Sequence, residues 1–110
     1  SIYSIFKYWN SKPKKAVTRH KQIDKFITPI KNALKNYTEE EIKDAIDNYC
    51  KIVLSDEYYW TYKYTLKQFL ERVGNIDRFL TANDPFSNFK KKKREQIYEE
   101  QSEPKPPYVP

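Results

Sequence analysis

Apolar residues recur at helical spacing through most of this chain. Ile2, Ile5, Phe6 and Trp9 fall on one face of a short helix over SIYSIFKYWN, because residues three and four apart share a face at 3.6 residues per turn. SKPKKAVTRH interrupts the pattern, with Pro13 as the break. A second stripe follows in Ile23, Phe26, Ile27, Ile30, Leu34 and Tyr37, with Pro29 inside it. Either the helix kinks there, or a new one starts with Thr28 as N-cap and Pro29 at the first helical position. The stripe keeps phase across Pro29, so one kinked helix is expected.

YTEEEIKDAIDNYCKIVL opens with Thr38 and, three residues on, Glu41. That spacing is a capping box, in which side chain and backbone of the two residues satisfy each other's free groups. Glu39 and Glu40 suit the positive end of the same helix, and Ile42, Ala45, Ile46, Tyr49 and Val53 form its inner face. Thr65 and Gln68 repeat the capping spacing before Leu66, Phe69, Leu70 and Val73, and Gly74 is the expected C-cap. NIDRFL reads as one or two helical turns, and TANDPFSNF as an ordered turn anchored by Phe86 and Phe89. The expected fold is all-α, a compact bundle of four to five helices over residues 1–89, with a disordered basic and then Pro-rich tail over 90–110.

Between the third and fourth helices, SDEYYWTYKYT carries five rings: Tyr58, Tyr59, Trp60, Tyr62 and Tyr64. In an extended segment Tyr58, Trp60, Tyr62 and Tyr64 point one way and Tyr59, Thr61 and Lys63 the other. One set is expected to seal the core, with Trp60 buried, and the other to stay exposed. Stacking of bases on such rings contributes about 1–3 kcal/mol per base where it occurs, but Asp56 and Glu57 open this run. Core packing is therefore the leading reading, ahead of a protein-binding patch and of base stacking.

Composition narrows the classes. The chain has 110 residues with 38% hydrophobic and 33% charged positions, enough for one modest core. One Gly and seven Pro, four of the latter among the last seven residues, argue against a β-sandwich or barrel. A single cysteine, Cys50, allows no internal disulfide and suits a reducing compartment; it is expected to be a packed filler, since a reactive thiolate needs an accessible electropositive niche. No apolar run approaches the ~20 residues that cross a bilayer. The first residue is Ser, as expected of a piece cut from a longer protein or of a tag remnant. One His, one Cys and one Gly leave no zinc site of His and Cys type and no glycine-rich phosphate loop. The acids have no spacing that pairs a general acid with a base. A non-enzymatic chain without cofactor or metal is expected.

Net charge is +6, unevenly spread. Residues 7–25 carry seven Lys or Arg against one acid, residues 26–89 eight against ten, and residues 90–110 six against four. Basic flanks on a near-neutral body suggest contact with a polyanion. The main candidates for phosphate contact are Lys12, Lys14, Lys15, Arg19 and Lys21, with His20 on the same basic face. Lys90, Lys91, Lys92, Lys93 and Arg94 form a possible auxiliary arm. Tyr58, Tyr59 and Tyr62, with the Pro-rich tail, are the candidates for a protein partner.

IFKYWN, the basic linker with His20, ALKNYTEEEIKDAIDNYCKIVLSDEYYWTYKYTLKQFLERVGNIDRFL and DPFSNF together resemble the C-terminal domain of replication proteins from phages and prophages of low-GC Gram-positive bacteria. These are replisome-organiser or primosome-type proteins grouped with the DnaD-like family. The resemblance covers roughly residues 2–89 and is most specific at Trp9, Asn10, Tyr49, Trp60, Tyr62, Tyr64, Thr65, Leu66, Phe69, Leu70, Asp84 and Pro85. It implies a part in starting phage DNA replication in the cytoplasm of a bacterial host, by low-specificity DNA binding or by recruiting a helicase loader or helicase. The sequence departs from the pattern in two ways. The winged-helix half of such proteins has no counterpart here, and in the Y-x-x-x-I-x-x-I-x-x-x-W signature Asp56 stands where the second Ile belongs.

Overall fold

The first helix, α1, spans Ile2–Asn10 and buries Ile5, Phe6 and Trp9, the face its spacing predicts. The computed structural model describes residues 1–91. They form six α-helices and two 3-10 turns, with no strand among the described residues.

The second apolar stripe is not one kinked helix. A 3-10 turn over Asp24–Phe26 leads into α2, Ile27–Leu34, with Phe26 rather than Thr28 at the N-cap. Pro29 is thus the third residue of α2. The first N–H groups of a helix have no intrahelical acceptor, so a proline there removes no hydrogen bond and needs no kink. The stripe stays in phase because Phe26 reaches the core from the turn while Pro29, Ile30 and Ala33 reach it from the helix.

Both capping boxes form. Ahead of α3, Glu39–Val53, Thr38 Oγ1 accepts from the Glu41 N–H at 3.1 Å and the Glu41 carboxylate accepts from the Thr38 N–H at 2.9 Å. Thr65 and Gln68 make the same pair of bonds, at 3.2 and 3.0 Å, ahead of α4, Leu66–Glu71. Gly74 does not close α4, which has already ended one turn earlier. At φ 78°, a conformation that favours glycine, it stands before α5, Asn75–Phe79. A 3-10 turn over Thr81–Asn83 and the single-turn α6, Pro85–Asn88, complete the described chain. The expected four or five helices are α1–α5, and α6 occupies the segment expected as an ordered turn.

The helices close around Tyr49, which is fully buried on α3. Its ring centroid lies 6.0 Å from Trp9, 5.4 Å from Tyr64, 5.2 Å from Phe69 and 5.6 Å from Phe79. Offset, tilted and edge contacts at such distances each add about 0.5–1.5 kcal/mol to area burial. The hydroxyl is equally constrained. It donates to the Ala16 carbonyl at 2.6 Å and accepts from the Tyr64 N–H at 2.8 Å, so one side chain satisfies backbone groups from two irregular segments. Burial drives its pKa upward. Two buried asparagines do similar service: Asn48 donates to the Phe79 carbonyl and to Thr81 Oγ1, and Asn75 accepts from the Tyr64 hydroxyl while donating to the Phe69 carbonyl. Cys50 is buried beside Tyr49, and burial pushes its thiol up to about 12, which fits a filler.

The expected tail lies, from residue 92 on, outside the described residues. Its first two residues belong to the folded body. Tyr58 pairs antiparallel with Lys90, the Tyr59 N–H donates to the Phe89 carbonyl at 3.0 Å, and the Lys91 N–H donates to the Glu57 carbonyl at 2.9 Å.

Tyr49→Phe keeps the ring stack and deletes only the hydroxyl, leaving a buried carbonyl and a buried N–H unmet. Each such group costs about 1–3 kcal/mol, so urea unfolding should show a loss of about 2–6 kcal/mol. Tyr8→Phe removes a half-exposed hydroxyl bound to Asp47 at 2.6 Å and should cost less than about 1 kcal/mol.

Candidate nucleic-acid interface

Residues 11–23 contain neither an α-helix nor a strand, yet their backbone is tied down along its length. The Trp9 indole Nε1–H donates to the Thr18 carbonyl at 2.8 Å. The Asn10 side chain grips His20 twice, donating to its carbonyl and accepting from its N–H, each at 2.9 Å. Ala16 and Val17 are buried, Val17 pairs in parallel with Tyr64, and the Thr18 N–H donates to the Tyr64 carbonyl at 3.2 Å. The loop is a preformed platform, and cations on it lose less freedom when they meet a ligand.

Those cations differ in what they already hold. Lys12 is engaged: its ammonium lies 2.5 Å from Asp47 Oδ1 and 4.2 Å from the centre of the Tyr8 ring. Burial lowers its pKa, and the bonds to Asp47 and the Tyr8 hydroxyl more than reverse this, so the net shift is upward. Arg19 spends Nε and Nη2 on the Lys12 carbonyl, at 3.1 and 2.8 Å, which closes the loop on itself. Lys14, Lys15 and Lys21 are exposed and have no carboxylate partner among the described residues. Lys14 and Lys15 sit at the tip of a turn that Pro13 closes by accepting from the Ala16 and Val17 N–H groups. Elsewhere Lys43 pairs with Glu39 and Lys67 with Glu71. Lys90 and Lys91 are exposed at the far end of segment 58–64, with Glu57 bound to the backbone of Lys91. Lys92, Lys93 and Arg94 lie outside the described residues.

His20 does not extend the basic face. Its Nε2 accepts from the Leu66 N–H at 3.3 Å and its ring stands 4.2 Å from Phe26. Accepting there requires the neutral ring with its proton on Nδ1. Leu66 opens α4, so a proton on Nε2 would set donor against donor and add charge at the positive end of a helix. Burial lowers the His20 pKa accordingly.

The aromatic run divides in a way simple alternation does not anticipate. Trp60 is 4% exposed and Tyr64 fully buried, as expected. Tyr58 is half-buried, with its ring 6.0 Å from Phe86. Tyr59 is 40% exposed, with its ring against Phe89. Tyr62, which alternation places inward, is 39% exposed and leans edge-on against Tyr64 at 4.8 Å. Among the described residues the segment makes β-bridges only at Tyr58 and Tyr64, so no continuous ladder holds the intervening side chains to a strict two-residue period.

Two arginines whose place a count of charges along the chain does not reveal bear on this segment. The Arg78 guanidinium lies 5.7 Å from the Trp60 ring centre and donates to the Gly74 and Val73 carbonyls. Arg72 is exposed at the end of α4. Burial raises the Tyr64 pKa, and Asn75, Arg72 and Arg78 each pull it part of the way back, so both guanidiniums act on that hydroxyl. Neither arginine has a carboxylate partner among the described residues. Their charges were averaged away in a body with slightly more acids than bases.

Among the described residues no group of three or more His, Cys, Asp or Glu is placed to hold a metal ion, and no helix is long and apolar enough to cross a membrane. No protein-family model, curated protein or solved structure matches the chain.

The His20 bond has a pH signature. With the folded pKa below the ordinary histidine value of about 6.5, the unfolded chain binds more protons in that window. Stability is then full above about pH 6.5 and falls as pH drops through the folded value of His20. Glu39, lowered to about 2 by Lys43, the Ser1 amino group and Ser4, acts in a separate window well below this one. Urea midpoints at about pH 5, 6 and 7 should decline toward acid, and His20→Gln should flatten that decline.

Proposed function

We propose that this chain is a non-enzymatic helical module of a phage-type DNA replication initiation protein, and that it binds DNA with low specificity through phosphate contacts. The observation that carries this reading is the pinned loop 11–23, which presents Lys14, Lys15 and Lys21 exposed and without carboxylate partners among the described residues. The backbone beneath them is held by Trp9, Asn10, Tyr49 and Tyr64, which favours a ligand of opposite charge. Arg19 serves the loop's closure, and Lys12 its attachment to α3 through Asp47. The resemblance to DnaD-like replication proteins supplies the replication context.

The alternative reading is a docking domain for a helicase loader or helicase. The exposure of Tyr59 and Tyr62 favours it, since tyrosines bring large area at small entropy cost to an interface. Tyr58 contributes less than expected, because its ring is packed on Phe86.

Three lysines neutralising three phosphates give a salt slope of about −2.1 to −2.7, or about a 20–40-fold loss of affinity between about 50 and 200 mM salt. Anisotropy titrations of labelled DNA should show that loss. Lys14→Glu/Lys15→Glu should abolish binding at the lower salt while leaving the urea midpoint in place. Absence of binding by the unaltered chain at low salt would overturn the DNA reading and favour the docking one.

A further inference from the structure

We infer that Tyr62, Arg72 and Arg78 form a second contact site, one that selects single-stranded nucleic acid by stacking a base on Tyr62 and holding the adjacent phosphate with the two guanidiniums. This rests on the DNA reading above and adds a strand preference and a place that the basic loop does not supply.

Three observations converge there. First, Tyr62 is exposed although its neighbours Trp60 and Tyr64 are buried, and its ring is braced edge-on against Tyr64 at 4.8 Å. A braced, exposed ring is a stacking surface that needs little further ordering. Second, the charge on the neighbouring segment is uncompensated: the Arg78 guanidinium lies over the ring of Trp60, two residues from Tyr62, and bonds the Val73 and Gly74 carbonyls that follow Arg72. Arg72 and Arg78 have no acidic partner among the described residues. The acids nearest in sequence are already occupied, Glu71 by Lys67 at 3.4 Å and Asp77 by the Tyr37 hydroxyl at 2.8 Å. Third, the only buried side-chain polar atom without a hydrogen-bond partner among the described residues is Trp60 Nε1, in the ring beneath the Arg78 guanidinium. A buried donor left unmet under Arg78, two residues along the chain from a braced exposed ring, with no carboxylate paired to either arginine among the described residues, fits a recognition surface better than a core edge.

The arginine chemistry points to phosphate. A guanidinium presents planar, paired donors that match phosphate oxygens and stacks on aromatic faces as Arg78 already does on Trp60. A base reaches Tyr62 only when it has left its own stack, which duplex DNA does not permit without melting. The site therefore favours single strands. The basic loop runs alongside, through the Thr18–Tyr64 hydrogen bond and the Val17–Tyr64 pairing, so a strand leaving this site meets a second set of cations.

The test compares a labelled oligothymidylate of about twelve residues with its duplex on oligoadenylate, at about 50 mM salt. The 110-residue chain should prefer the single strand. Tyr62→Leu should weaken single-strand binding about tenfold and leave duplex binding unaltered, while Tyr62→Phe restores it. Arg72→Gln, at an exposed position, should lower the single-strand salt slope by about one unit. Equal affinity for both forms, or a Tyr62→Leu effect of the same size on both, would overturn this inference alone, provided that Lys14→Glu/Lys15→Glu still removes binding. No binding of either form by the unaltered chain would overturn the DNA reading and this inference together.

Discussion

The hydroxyl of Tyr49 holds together two parts of the chain that have no regular structure of their own. Loop 11–23 and segment 58–64 are the two long connections of the fold, and each would leave backbone groups stranded if packed against apolar helices without an acceptor or donor at the right place. Tyr49 offers both from one oxygen: it gives its proton to Ala16 and takes the N–H of Tyr64. Its ring meanwhile touches Trp9, Phe69 and Phe79, so the atoms that satisfy the connections and the atoms that make the core belong to one side chain. The parallel pairing of Val17 with Tyr64 follows from this arrangement, because both segments are drawn to the same point.

What the two connections carry then falls into place. Short helices, several of only one or two turns, cannot by themselves define a broad surface. The irregular segments can, provided they are stiff. Asn10, by gripping both backbone groups of His20, and His20, by receiving the first N–H of α4, extend the stiffness from the core to the outer edge of the basic loop. The lysines at the loop tip therefore stand on a supported backbone, while Lys12 and Arg19 serve that support.

Much of this was legible in the sequence, and the reasons differ residue by residue. Thr38 with Glu41 and Thr65 with Gln68 announce helix starts because a capping box is local and its spacing is fixed by backbone geometry. The burial of Trp60 and Tyr64 follows from the large apolar area that a small core needs. Pro29 was misleading because periodicity reports which face is apolar and says nothing of where a helix begins, and a 3-10 turn can carry Phe26 inward in the same phase. Gly74 lies at the start of α5 and not at the end of α4 because α4 stops a turn before it, which its position in the sequence does not reveal. The engagement of Lys12 could not be read at all, since Asp47 is 35 residues away. Arg78 is hidden for a related reason: its guanidinium reaches the ring of Trp60, on a segment far earlier in the chain, and a count of charges along the chain cannot see such a meeting.

The two tryptophans divide the molecule into separately observable parts. Trp9 is wholly buried with its indole proton committed to the carbonyl of Thr18, so its emission reports the integrity of the basic loop. Trp60 lies under a guanidinium, with its indole proton uncommitted among the described residues, and its emission is sensitive to any charge that arrives at or leaves Arg78. With no other indole in the chain, replacing either by phenylalanine turns the remaining one into an intrinsic optical label, one for loop architecture and one for the arginine patch.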